Sequence, residues 1–262
     1  MNYFIDSHYH LEFIEDKVCQ KEFLSLIKKE GIGIFAQSIL PSSFVHFDEY
    51  PFLFLGLGFH PWWIENREQV ERELEFFHTY LPSTFFIGEI GLDFSPKRLE
   101  KASKELQIET FSSILDQLNR SKEERYILSI HAVRSTSQVL DLLEEKDQGK
   151  FLPIFHRFSG TSQELDRLIK NEAYLSIHPT IFSSKKGRAY VKQVPQDRIL
   201  LESDLPLLEK ERTAEEYILA LQEALQYSLN KLERIREEEI KVSILSNQSK
   251  IFGYFSNVKK KE

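Results

Sequence analysis

Eight short apolar runs recur along the 262 residues, separated by stretches of helical length, and this alternation restricts the fold more than any other feature. The runs are Tyr3–Asp6, Gly33–Ala36, Phe52–Leu57, Thr84–Gly88, Tyr126–Ile130, Leu152–Phe155, Ala173–Ile177 and Arg198–Leu201. Most are continuous rather than alternating, which suits strands buried on both faces, as in parallel sheets. Between them, Lys21–Lys29, Glu68–Tyr80, Leu99–Arg120, Gln138–Lys146, Glu164–Asn171 and Lys185–Gln193 carry apolar residues at helical spacing. Ser135-x-x-Gln138, Thr161-x-x-Glu164 and Thr213-x-x-Glu216 read as capping boxes at helix starts. The expected fold is α/β, a (β/α)8 TIM-like barrel or a close variant. No linker, repeat or composition break is evident, so one domain over 1–262 is expected, with a helical region from about 213 onward.

Composition narrows the function classes. The formal charge of -7 argues against wholesale coating of nucleic acid, though a local basic patch is compatible with it. Cys19 is the only cysteine, which excludes an intrachain disulfide and turns attention away from thiolate chemistry. The most apolar stretch, around Phe52 to Phe59, is too short to cross a bilayer. The first residues read as strand rather than as a signal peptide. A cytoplasmic monomer without a membrane partner is the expectation.

The side chains that carry chemistry collect at strand ends, where barrels of this kind place their active sites. Asp6-Ser7-His8-Tyr9-His10 follows the first run. A strand's period of two points His8 and His10 the same way, so the pair can hold one metal ion. Glu89 follows the fourth run, His131 the fifth, His156 the sixth, and Asp204 the eighth. Each has a bland alternative: a satisfied polar histidine, a turn carboxylate, an aspartate preceding Leu205-Pro206. Four imidazoles and two carboxylates on one rim exceed the needs of one four-coordinate ion and suit two adjacent divalent cations.

The ordered set Asp6-Ser7-His8-Tyr9-His10-Leu11-Glu12, Gly58-Phe59-His60-Pro61-Trp62, Gly88-Glu89-Ile90-Gly91-Leu92-Asp93, Ile130-His131, His156-Arg157-Phe158-Ser159-Gly160 and Leu201-Glu202-Ser203-Asp204-Leu205-Pro206 resembles the TatD family of metal-dependent hydrolases, within the amidohydrolase-like barrel superfamily. Asn247 with Phe252 looks like the family's closing Asn-x-x-x-x-Phe pattern. The resemblance implies that His8, His10 and Asp204 hold one metal and His131 and His156 the other, with Glu89 bridging. Glu89 and Asp204 become the catalytic carboxylates. Water bound by two cations would be acidified from ~15.7 to ~7, and Asp204 could take the proton of the attacking hydroxide. His60 falls outside the ligand set and reads as a ligand-orienting or substrate-contacting residue, or as a turn residue fixed by Pro61. The mixed N/O donors admit Zn, Mg, Mn, Ni or Fe.

Some residues depart from the family pattern. An Asn-x-Pro loop expected after Leu208 is shortened or lost, since Glu209-Lys210-Glu211-Arg212 leads straight to Thr213. His178 stands where small residues are usual, and Arg157 replaces a small residue. His60, Arg157, His178, Lys185, Lys186 and Arg188 are the candidate substrate contacts; for the last three, a solvated helix start is the plainer reading. The leading function is a two-metal phosphodiesterase acting on DNA ends or single strands. The alternatives are hydrolysis of an ester or amide carbonyl, including aminoacyl-tRNA deacylation, and a binding protein with a relic metal site.

Overall fold

The structure is a computed structural model that describes residues 4–44, 53–207 and 211–258, with side chains through Gly253. The expected strand starts at Tyr3 and Phe52, the shortened loop at 208–210 and the final residues 259–262 lie outside the described residues. Eight strands are present among the described residues: β1 (Ile5–Tyr9), β2 (Gly33–Gln37), β3 (Leu53–Gly56), β4 (Phe86–Asp93), β5 (Tyr126–Val133), β6 (Phe151–Phe155), β7 (Tyr174–Ile177) and β8 (Ile199–Leu201). The helices are α1 (Lys17–Glu30), α2 (Arg67–Tyr80), α3 (Pro96–Leu99), α4 (Lys104–Arg120), α5 (Thr136–Lys146), α6 (Ser162–Lys170), α7 (Lys185–Gln193), α8 (Ala214–Arg236) and α9 (Lys241–Val258). β1, β2 and β4 are buried along their whole length, as the continuous apolar runs require.

Element ends differ from expectation for identifiable reasons. α1 begins at Lys17 rather than Lys21 because the Asp16 side chain accepts the Val18 amide at 2.9 Å and caps it. The expected helix over Leu99–Arg120 is two helices, and Ser103 caps the second by accepting the Leu106 amide. The boxes at Thr161 and Thr213 form as expected. The one at Ser135 does not: its hydroxyl donates to the Leu92 carbonyl at 2.7 Å instead, satisfying a buried acceptor near the end of β4. β4 and β5 run on to Asp93 and Val133, so Glu89 and His131 lie inside strands rather than just beyond them.

The described residues form two compact units. The first comprises 4–36, 53–54, 175–207 and 211–258. Here β1 pairs in parallel with β2 (Ile5↔Gly33, Asp6↔Ile34), and β7 with β8 (Leu175↔Ile199). A further parallel bridge, Tyr9↔Leu205, carries the chain beyond β8 alongside β1. α8 packs on α1, and α9 packs on β8. Three α9 side chains account for the closing motif. Asn247 Nδ2 donates to the carbonyls of Gln196 (2.8 Å) and Ile199 (2.9 Å), Gln248 Nε2 donates to Ile5 (2.7 Å), and Phe252 lies against Phe35 and Phe54.

The second unit comprises 37–44 and 55–174. Its parallel strands β4, β5 and β6 are joined in that order, with Gly91 beside His131 and Ile130 beside Phe155. α4 reaches β4 through Gln107, whose Oε1 accepts the Asp93 amide at 2.9 Å.

Asn247→Ala would remove the donor to the buried Ile199 carbonyl and the part-buried Gln196 carbonyl at the base of β8. The expected loss is on the order of 2 kcal/mol in urea unfolding, with an unchanged denaturant slope. A loss below about 0.5 kcal/mol would show that α9 is not held by these bonds.

Candidate metal centre

In the first unit His8 and His10 come together as expected, although the β1 register shifts between Asp6 and Tyr9. Asp6, His8 and His10 alternate with Ser7 and Tyr9, and the two ring Nε2 atoms face each other at 3.2 Å. Asp204 joins them because the segment after β8 runs beside β1: the Asp204 amide donates to the His8 carbonyl at 3.1 Å, and the His10 amide to that of Leu205 at 2.7 Å. Asp204 adopts a left-handed backbone, φ 57°, uncommon for a residue with a side chain. Its Oδ1 lies 3.3 Å from His10 Nε2 and 3.7 Å from His8 Nε2. These three ligand atoms lie within 4.8 Å of one another.

Asp6 ties the two segments together. Its Oδ1 accepts the amides of His8 (3.0 Å) and Ser203 (3.1 Å), and Oδ2 accepts the Ser203 hydroxyl. Burial pushes its carboxyl up to about 8, against the pull of the Ser203 and His8 hydrogen bonds. Glu202 is likewise fully buried, and burial pushes it up to about 7 although the His8 and His178 charges favour ionisation.

In the second unit Glu89 is the centre, 1% exposed. Its Oε1 lies 2.6 Å from His131 Nδ1 and 3.9 Å from His156 Nε2, and its Oε2 lies 3.2 Å from His60 Nε2. The approach depends on two glycines. A Cβ on Gly58 would stand 2.0 Å from the Ser38 carbonyl and 2.4 Å from the Glu89 nitrogen. One on Gly91, at φ +137°, would stand 2.1 Å from the His131 carbonyl. Only glycine tolerates both the contacts and, at Gly91, that backbone.

His60 stands with Glu89 and His131 as a group whose ligand atoms lie within 4.8 Å of one another, and its second contact favours a donor role. Its Nδ1 accepts the Trp62 amide at 2.9 Å, so the ring proton sits on Nε2 and is directed at Glu89. Burial alone would lower the basicity of His131. The adjacent Glu89 charge and the Asp93 hydrogen bond outweigh it and raise the ring to about 9. Burial likewise works to raise Asp93, but hydrogen bonds from His131, Ser95 and Trp62 overcome it and hold the carboxyl well below the ordinary range. Two buried carboxylates so placed call for positive charge, which the His131 ring supplies here; an imidazole that gives up its extra proton to a cation offers a nitrogen lone pair instead. A divalent cation fits this donor set.

The structure thus divides the six expected ligands between two sets. His8, His10 and Asp204 come together in the first unit, and Glu89, His131 and His156 in the second, joined there by His60. Of the other substrate-contact candidates, His178 belongs to no metal group among the described residues. Its Nδ1 accepts the Thr180 amide and caps the short helix after β7. Arg188 donates to the Phe182 carbonyl at 2.6 Å, and Lys186 lies over the Tyr190 ring, which favours the structural reading for both; Lys185 is exposed. Arg157 is exposed, with a left-handed backbone at φ 42°. Asp6, Asp93 and Glu202 were quoted within motifs but given no role. For Asp6 and Asp93 the signal was present: each lies an even number of residues from a ligand on its own strand.

Comparison with known proteins bears on the family and the fold. The sequence profile described as TatD related DNase matches residues 5–253. The chain is 26% identical over 212 residues to a Bacillus subtilis (strain 168) protein named as the uncharacterized metal-dependent hydrolase YabD, covering 78% of this chain and 80% of that one. The crystal structure of YJJV, a TatD homolog from Escherichia coli K12, superposes with a TM-score of 0.76 at 22% identity, over 94% of this chain and 96% of that one. A TatD family hydrolase from Entamoeba histolytica gives 0.68 at 16% identity, over 94% and 96%. The expected fold class, α/β with a (β/α)8 TIM-like barrel of the metallo-dependent hydrolase type, is the one these likenesses show.

Asp6→Ala removes the acceptor of three hydrogen bonds that join the His8 and Asp204 segments. Chelator competition should show weaker metal binding, and urea unfolding a loss of about 3 kcal/mol. Unchanged metal affinity would mean that these segments hold their places without Asp6.

Proposed function

The chain belongs to the TatD related DNase family, and from that premise we propose that this metal-dependent hydrolase is a two-metal phosphodiesterase that cleaves DNA at ends or in single strands. The observation that carries the reading is the burial of carboxylates and imidazoles in two sets, His8–His10–Asp204 and His60–Glu89–His131, with His156 Nε2 3.9 Å from Glu89 beside the second. Mixed nitrogen and oxygen donors suit Zn, Mn or Mg, and the physiological ion is a matter of availability. When bound, the ions supply Lewis-acid polarisation of a phosphoryl oxygen and an acidified water.

The chain's own residues do the rest. His60 donates its Nε2–H to Glu89 and holds that carboxylate in one orientation. Asp204, kept in place by the His8 and Leu205 backbone contacts, is the group that accepts the proton of the attacking water. Its carboxylate is 12% exposed, more open than Glu89 at 1%, as a proton acceptor facing substrate must be. Arg157 and Lys185 are exposed cations, the kind of side chain that meets phosphates.

Metal-loaded protein should cleave a single-stranded DNA oligonucleotide, lose the activity to chelator and regain it with Mg or Mn. Asp204→Asn keeps the size but cannot take the proton, so turnover should fall by at least ~10²-fold while substrate binding changes far less. Hydrolysis of esters with DNA left intact would replace this reading with the carbonyl one. Failure to retain any divalent metal would favour the relic site.

A further inference from the structure

Asp93 is a deeply buried carboxylate, 1% exposed, to which neither metal set gives a ligand role. We propose that it is a positioning residue for the metal site: it keeps the ring proton of His131 on Nε2 and so presents Nδ1 toward Glu89. The inference rests on the metal reading of His131 and Glu89 and is independent of the substrate.

The placement follows from strand geometry. Glu89 and Asp93 both belong to β4, whose register against β5 shifts between Ile87 and Ile90, and both carboxylates reach the same His131 ring. Gly91 stands midway and pairs in register with His131 on β5. The imidazole therefore lies beside both carboxylates, and each ring nitrogen meets one. Nδ1 is 2.6 Å from Glu89 Oε1, and Nε2 is 3.1 Å from Asp93 Oδ2. A neutral imidazole ligates through one nitrogen while the other keeps the proton, and the partner of that proton decides which is which. Both carboxylates only accept and Glu89 is the nearer, but with the Nδ1 lone pair given to a cation, Asp93 would be the acceptor left to hold the proton on Nε2.

Asp93 is itself held on every side. Its Oδ2 also accepts the indole N–H of Trp62 at 2.6 Å, and its Oδ1 accepts the Ser95 amide at 2.7 Å. Its own amide donates to Gln107, fully buried on α4. Rotation of the carboxylate would break several of these bonds at once. Trp62 is in turn fixed by Arg98, whose guanidinium donates to the Trp62 carbonyl at 2.7 Å. The metal-facing nitrogen of His131 is thus set by a chain of contacts from α4 and the Trp62 segment.

Two measurements on the full-length, zinc-loaded protein test this. Histidine-selective 15N NMR reads the ring proton of His131, assigned by its loss in His131→Asn, and chelator competition reads zinc affinity. The wild type should carry its ring proton on Nε2, strongly deshielded by the carboxylate. Asp93→Asn should shift or lose that signal and weaken zinc binding about 10- to 100-fold. Trp62→Phe removes the indole donor but leaves the His131 contact, and should stay within about threefold of wild type. A ring proton on Nδ1 in the wild type would overturn the proposal, and that result is readable even if Asp93→Asn fails to fold. An Asp93→Asn affinity within about threefold of wild type would overturn it too, as would an equal loss in Trp62→Phe, which would reduce Asp93 to an anchor for the indole.

Discussion

A buried carboxylate is costly unless something positive or hydrogen-bonding faces it, and the structure around Glu89 is built on that constraint. Three imidazoles approach it, from the His60 turn, β5 and β6. Their roles differ because their far sides differ. His60 is tied through Nδ1 to a backbone amide and can only donate. His131 meets a second carboxylate and can ligate through the remaining nitrogen. The same residue type serves two purposes, and the second contact of each ring decides which.

The backbone makes room for this. Gly58 and Gly91 allow main chain to pass where any side chain would collide with the carbonyls of Ser38 or His131. In the first unit a different device serves the same end. Asp6 gathers the amides of His8 and Ser203, so that β1 and the segment after β8 deliver His8, His10 and Asp204 together. The left-handed backbone at Asp204 belongs to the same arrangement, since local strain of this kind persists only where neighbouring contacts determine it.

Most of the candidate donor set was legible in the sequence because it follows local patterns. The period of two suggested that His8 and His10 face together, and apolar runs located the strands in or after which Glu89, His131, His156 and Asp204 lie. What was not legible depends on pairing between strands. That His131 lies opposite Gly91, midway between Glu89 and Asp93, follows from the β4–β5 register, which no local pattern specifies. Ser135 shows the same limit from the other side: its capping box is a valid local signal, but a distant carbonyl on β4 competed for the hydroxyl and won. His178, a cleft candidate by position, also accepts the Thr180 amide, a local contact that the sequence did not signal.

Crystals grown with zinc and measured above and below its absorption edge address the metal reading without reference to any substrate. Anomalous peaks should lie about 2.0–2.2 Å from nitrogen and oxygen donors of His8, His10 and Asp204, and of Glu89, His131 and His156, with none on His60 Nε2. Zinc confined to exposed surface carboxylates, with both buried sets empty of anomalous density, would contradict the account.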